Sequence, residues 1–198
     1  MNSSFSPEIQ AKLEAYTNLV RQYAKTLDLT SPSMLAKFET AVSRSSVYDQ
    51  AIPEGSSVLD IGSGVGLPGI PLAIRRPDLN VCLCEIRQRR AAFLERAVSS
   101  LKLKNATVQD KDVRNLHDLE FDVVIAQAVG SLERLFLLSK HVLAQNWTLI
   151  SRKGASWQDE LAELEAQTTV SGVKTVPVGD GFQLVIVHGQ MLDQRLER

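Results

Sequence analysis

The segment from Ser57 to Pro71 reads SVLDIGSGVGLPGIP, a short apolar run followed by an acid and then by alternating glycines. The pattern predicts a buried strand (Val58, Leu59, Ile61), a turn at Gly62, Gly64 and Gly66, and a helix opening at Pro68. A strand that turns sharply into a helix leaves backbone N–H groups unpaired, and glycines let a ligand come close to them. The segment therefore reads as a nucleotide-binding turn.

Gly64-Val65-Gly66-Leu67-Pro68-Gly69 also fits the dinucleotide pattern GxGxxG, with Glu85 near the expected offset. Asp60, directly before the loop, decides against it. A carboxylate there repels a diphosphate and suits a cation such as the ammonium and sulfonium of S-adenosylmethionine. The D-x-G-x-G-x-G spelling, followed by an acid after the next strand, is the pattern of class I methyltransferases. Asp60, Gly62, Gly64 and Gly66 are expected at the cofactor. Glu85 is expected to accept hydrogen bonds from its ribose, and the end of the third strand to lie against its adenine.

The 198 residues are 44% hydrophobic, enough for one well-buried α/β domain with a small accessory piece. Twenty-two basic and twenty-three acidic residues leave a formal charge of −1, so a nucleic-acid site has to be a local patch. No apolar run is long enough to span a bilayer, and Met1 to Ser4 lacks the build of a signal peptide, so a cytoplasmic protein is expected. Cys82 and Cys84 point to one face of a strand without a histidine at metal spacing; they read as reduced core thiols, and no metal is expected.

In chain order, Ser6 caps a helix carrying Ile9, Leu13, Tyr16, Val20, Tyr23 and Leu27 on one stripe. Ser31-Pro32 opens a second helix with Leu35, Phe38 and Val42 on one face. Residues 1–50 are thus expected to form a helical extension to a domain of residues 51–198. Beyond the glycine turn, a helix ending at Arg75-Arg76 leads to a strand at Asn80–Cys84. The next helix, to about Lys104, carries Phe93, Leu94, Ala97 and Val98 inward and Arg87, Arg89, Arg90 and Arg96 outward. Short strands follow at Thr107–Gln109, Phe121–Ala126 and Trp147–Ile150. Ser131 caps a helix between the last two, and Ser156 to Asp159 resembles a capping box. Val173–Val178 and Phe182–Val187, joined by Gly179-Asp180-Gly181, read as a closing hairpin. These elements give an α/β, doubly wound sheet.

The turn after FDVVIA is Gln127-Ala128-Val129-Gly130. It lacks the polar-Pro-Pro-aromatic motif that orients an exocyclic nitrogen, and neither cysteine lies on a loop where pyrimidine C5 chemistry needs a nucleophile. A ring nitrogen such as guanine N7 has a free lone pair and loses no proton, so alignment and exclusion of water suffice. No catalytic acid–base pair is expected. Arg89, Arg90 and Lys153 are candidates for phosphate contact, in a stripe with Arg75, Arg76, Lys102, Lys104 and Arg152 beside the cofactor mouth.

The runs VLDIGSGVGLPGIPLAIRRPDL, Leu101-Lys102-Leu103-Lys104-Asn105, FDVVIA and Lys153-Gly154 resemble the RsmG (GidB) family of 16S ribosomal RNA guanine-N7 methyltransferases over most of the chain. The resemblance implies a class I methyltransferase (Rossmann-like) fold with a mostly parallel seven-stranded sheet and a helical N-terminal portion. It implies S-adenosylmethionine as cofactor, ribosomal RNA or the small subunit as partner, and cofactor contacts at Gly62, Leu67, Asp112, Val113 and Gln127. A monomer is expected. The chain departs from the family at Gln127, where the family has arginine, at Ser45-Ser46 in place of Asp-Ser, and at Arg89-Arg90 in place of Lys-Arg. Because fold and cofactor site can persist while the target changes, another RNA, a small molecule or a protein stays open as substrate, as does a cofactor-binding module with little catalysis.

Overall fold

A computed structural model describes residues 5–127 and 129–191; Met1–Ser4 and Ala128, which figured in the sequence reading, lie outside them. Three helices come first, α1 (Pro7–Tyr23), α2 (Pro32–Ala36) and α3 (Phe38–Arg44), followed by a 3-10 turn at Ser45–Tyr48. Alternating units follow: β1 (Ser57–Ile61), α4 (Gly69–Arg75), β2 (Asn80–Cys84), α5 (Gln88–Ser100), β3 (Ala106–Gln109), β4 (Phe121–Ala126), α6 (Leu132–Ser139) and β5 (Leu143–Lys153). The chain closes with α7 (Trp157–Glu165), β6 (Thr169–Gly179) and β7 (Phe182–Gln190).

The seven strands lie in the order β3-β2-β1-β4-β5-β7-β6. Pairing is parallel from β3 to β5, whereas β7 runs antiparallel to both β5 and β6. The order reverses between β1 and β4, which opens a crevice at the carboxyl edge there. Strand alternation sends Val58, Val81, Leu83, Val123 and Ile125 into one apolar layer and Leu59, Ile61, Cys82, Cys84 and Val124 into the other. Both cysteines are buried free thiols, with pKa values pushed up by burial to about 11 for Cys82 and about 12 for Cys84.

Ser6 caps α1 through its hydroxyl, with Pro7 in the first turn. Tyr16, Val20, Phe38 and Val42 pack into the same apolar layer as Val58 and Leu94, so the N-terminal helices cover one face of the sheet. Tyr16 and Phe38 stand with ring centroids 5.5 Å apart. The single second helix expected from Ser31 is broken at Lys37, which caps both α2 and α3. The expected capping box at Ser156 does not form: its side chain makes no cap bond, and its carbonyl accepts the Asp159 amide instead. The fifth strand is much longer than Trp147–Ile150 suggests. Its polar ends, Asn146 and Arg152, pair with Gln190 and Leu184 of β7, which no local apolar pattern records. The helix expected to reach Lys104 stops at Ser100, and Lys102 takes a positive φ of 53°. No helix among the described residues is long and apolar enough to cross a membrane.

A substantial buried network ties the extension to α4. Arg75 donates from Nε and Nη2 to the Asp49 carboxylate at 2.6 and 2.9 Å, and from Nη2 to Ser45 Oγ at 3.2 Å. Arg76 donates to the Asp49 and Ile52 carbonyls and pairs with Asp78. Both arginines lie at the foot of α4, which descends from the carboxyl edge of the sheet, so neither reaches the mouth.

Candidate active site

The loop after β1 closes on its neighbours through backbone bonds. The amides of Gly62 and Ser63 donate to the Cys84 carbonyl at 2.8 and 3.2 Å, and Gly66 donates to the Ser63 carbonyl at 2.7 Å. The backbone is left-handed at Gly62, Gly64 and Gly66, with φ of 68°, 58° and 98°, which a side chain would strain. At Gly69 the constraint is space, since a Cβ would stand 2.5 Å from Asp60 Oδ2 and 2.3 Å from Leu83 Cδ2. Leu67 packs, half-buried, against the apolar layer beneath the N-terminal helices.

Asp60 does not face the mouth as its place before the glycines suggests. Alternation along β1 turns its carboxylate to the face covered by α1 and α4, where Oδ2 accepts the Gly69 amide at 3.0 Å. It is 1% exposed, and burial lifts its pKa to about 7. Its carboxylate therefore braces the loop from beneath. Tyr16 acts on the same loop from α1, donating its hydroxyl to the Val65 carbonyl at 2.8 Å across 49 residues of sequence. Nothing in the local spacing of α1 distinguishes this tyrosine from a core residue.

Glu85 occupies the mouth. Its Oε2 accepts the Gly64 amide at 2.9 Å and its Oε1 accepts the Arg87 amide at 2.8 Å. Each oxygen keeps a second lone pair, so the group can still accept hydroxyl donors. Asp112 and Val113 follow β3 on the same edge. The Asp112 carboxylate caps the turn to Asn115 by accepting the Arg114 amide at 2.9 Å, and the Arg114 guanidinium beside it holds its pKa down at about 2. Val113 is buried. Gln127 follows β4, whose Ala126 pairs with Ile61 on one side and Ser151 on the other, so glutamine and glycine loop share the crossover.

Arg89 and Arg90 sit in the first turn of α5. Arg89 is exposed, and the Arg90 guanidinium comes within 4.0 Å of the point a Cβ on Gly64 would occupy. Lys153 is placed differently from expectation. Its Nζ lies 2.7 Å from Glu160 Oε2 and donates to the Gly130 carbonyl, and the side chain is buried. Glu160 Oε2 also accepts the Leu132 amide at 3.0 Å, so this ion pair fastens the loop after β4 to α7. The eight-residue basic stripe is not formed: Arg75 and Arg76 are paired at the foot of α4, Lys102 and Lys104 lie past the far end of α5, and Lys153 is internal. Arg89, Arg90 and Arg152 remain at the carboxyl edge. His141 Nε2 lies 3.2 Å from the Val113 carbonyl and His188 Nδ1 lies 3.0 Å from Thr148 Oγ1.

A left-handed glycine loop at a crossover, an acid at the end of the adjacent strand and the order 3-2-1-4-5-7-6 define a class I methyltransferase fold. An S-adenosylmethionine-dependent methyltransferase from Aquifex aeolicus superposes with a TM-score of 0.60 at 20% identity, covering 83% of this chain and 97% of that one. The M. jannaschii TYW2 structure in complex with AdoMet superposes at 0.59 with 16% identity, covering 76% and 74%. The sequence profile of the GidB family, described as rRNA small subunit methyltransferase G, matches residues 9–182. The ribosomal RNA small subunit methyltransferase G of Nitrosomonas eutropha is 32% identical over 174 residues, 86% of this chain and 81% of that protein. That of Nitrosomonas europaea is 33% identical over 172 residues, 85% and 80%. The chain belongs to the GidB family.

Proposed function

We propose that the protein transfers the methyl group of S-adenosylmethionine to N7 of a guanine in the RNA of the small ribosomal subunit, in the cytoplasm. The observation that carries this reading is the Glu85 carboxylate, 5% exposed, bonded to the Gly64 amide and standing over the left-handed loop of a GidB-family chain. When bound, S-adenosylmethionine supplies an electrophilic methyl group on a sulfonium. The residues suited to hold it are Gly62, Gly64 and Gly66, whose missing side chains let a ligand approach the loop closely, with Leu67, Glu85 for ribose hydroxyls, Asp112 and Val113 beside the base, and Gln127 at the crossover. Asp60 and Tyr16 keep the loop in shape. Arg89 and Arg90 are placed for the phosphates of an RNA lying along the carboxyl edge. Because N7 yields no proton, the reaction needs no acid–base pair, and the task is to align the ring and exclude water. Single-turnover transfer of labelled methyl to small subunits and to purified small-subunit RNA, with mapping of N7-methylguanine, tests the reading. One modified guanine is expected; cofactor binding without transfer to either substrate would remove it.

A further inference from the structure

We propose that Ser151, Lys153 and Glu160 are positioning residues for methyl transfer, fixing at both ends the loop of residues 127–130 that holds Gln127 at the reaction centre. This rests on the function proposed above and assigns what sets its geometry. Alternation along β5 sends Ser151 and Lys153, with Leu149, to the face covered by α6 and α7, and Ile150 to the opposite layer. On that face Ser151, 2% exposed, donates its hydroxyl to the Ala126 carbonyl at 3.1 Å, where the loop leaves β4. Lys153 donates to the Gly130 carbonyl at the other end of the loop, and its Nζ lies 2.7 Å from Glu160 Oε2. That same oxygen accepts the amide of Leu132, the first residue of α6, at 3.0 Å.

The chemistry of this clamp suits position better than stability. A buried ion pair loses in desolvation much of what it gains by attraction, and apolar side chains of similar volume often serve a fold as well or better. Bonding backbone is what an apolar pair cannot do. Lysine only donates and so takes a carbonyl, ionised glutamate only accepts and so takes an amide, and here the two hold Gly130 and Leu132 on either side of Ser131. The Lys153 side chain is 7% exposed, so its charge is committed to this junction. The loop in turn leans on the cofactor turn, since a Cβ on Gly62 would stand 3.0 Å from Val129 Cγ2.

The proposed reaction moves no proton and depends on alignment, where a misplacement of about 1 Å can cost about a hundredfold in rate. Gln127 stands between two fixed points. Ala126 is paired with Ile61 and bonded to Ser151, and Gly130 is bonded to Lys153. Both anchors come from β5 side chains two residues apart, so the loop takes its place from the sheet itself. Loosening the Lys153 end frees Val129 to withdraw from Gly62 and Gln127 to turn, without touching Glu85 or the glycines.

The test compares the full chain with Glu160→Gln and with the double variant Lys153→Met, Glu160→Met, in single-turnover transfer to small subunits at saturating S-adenosylmethionine, well below every Tm. The double variant replaces the pair by apolar side chains, so its Tm should be equal or higher, yet transfer should slow about tenfold or more. Its affinity for S-adenosylmethionine should stay within about threefold, because Glu85 and the glycine turn are intact. Glu160→Gln keeps an acceptor for the Leu132 amide and for Lys153 but removes the matching charge, so Tm should fall while transfer stays within about threefold. A merely structural pair would rank rates as it ranks Tm; positioning ranks them oppositely. Ser151→Ala deletes one oxygen and should slow transfer about 3- to 10-fold, which keeps the clamp testable if the double variant does not fold. Unmodified rates in the double variant, or in Ser151→Ala where that variant alone folds, overturn the proposal. Amide exchange over residues 127–132 separates this from the proposed function. It should rise in the double variant while β4 and β5 keep their protection. If the unmodified protein transfers nothing, the function falls; a rise in exchange then still upholds the clamp, and no rise removes it.

Discussion

Asp60 Oδ2 accepts the amide of Gly69 at 3.0 Å, and so closes the cofactor loop onto the strand it leaves. The carboxyl sits at a pKa of about 7, raised mainly by burial, with the Gly69 and Ser63 hydrogen bonds pulling it back and Glu85 adding to the rise. Unfolded, it returns to 3.8. Below about pH 4 both states hold the proton; from there to about pH 7 only the folded state does. The stability this provides is therefore complete at low pH and is lost as pH rises through about 7. Unfolding free energy, compared between the unmodified protein and Asp60→Asn, should show a difference that falls by up to about 1.4 kcal/mol per pH unit across that window. Parallel pH profiles would show that Asp60 ionises normally.

Glu85 serves the loop and, as proposed, the ribose. Glu85→Gln can replace one backbone acceptor bond but loses the charge, whereas Glu85→Ala loses both. Affinity for S-adenosylmethionine by calorimetry should fall by about 1–3 kcal/mol in Glu85→Ala and by less in Glu85→Gln. Unchanged affinity in both would leave Glu85 as a brace for Gly64 alone.

The Arg75 side chain is 1% exposed and that of Asp49 16% exposed. Burial raises the Asp49 pKa more than the Arg75 hydrogen bonds lower it, so the pair holds geometry more than it adds stability. Asp49→Ala, which strands a buried guanidinium, should cost about 3–5 kcal/mol in denaturant unfolding. Asp49→Ala with Arg75→Met should cost clearly less than that single change. A double variant as unstable as the sum of its parts would mean the two residues act separately.

Two kinds of basic residue are separable by salt. Arg89→Gln with Arg90→Gln should reduce the slope of log K against log salt for RNA by up to about two units, with little change in Tm. Lys153→Met should do the opposite, lowering Tm because Glu160 is left unpaired while leaving the slope intact. A change of slope in Lys153→Met would place its ammonium on RNA after all.

The period of the chain made most of the fold legible. Strand β1, the glycine turn, the helix end at Arg75-Arg76, FDVVIA and the closing hairpin all follow from local patterns of burial and backbone freedom, and a glycine loop works through backbone that its own sequence shapes. The alternation of β1 even held the direction of Asp60, since Asp60 falls on the same side as Val58; what covers that side was not written there. Side chains that act at a distance depend on which elements meet. Tyr16 reaches Val65 because α1 lies across the sheet, and Lys153 finds Glu160 because α7 folds back beside α6. Spacing along a chain specifies which face a residue takes; only packing decides what stands opposite, and therefore whether a charge is spent inside or offered to a ligand.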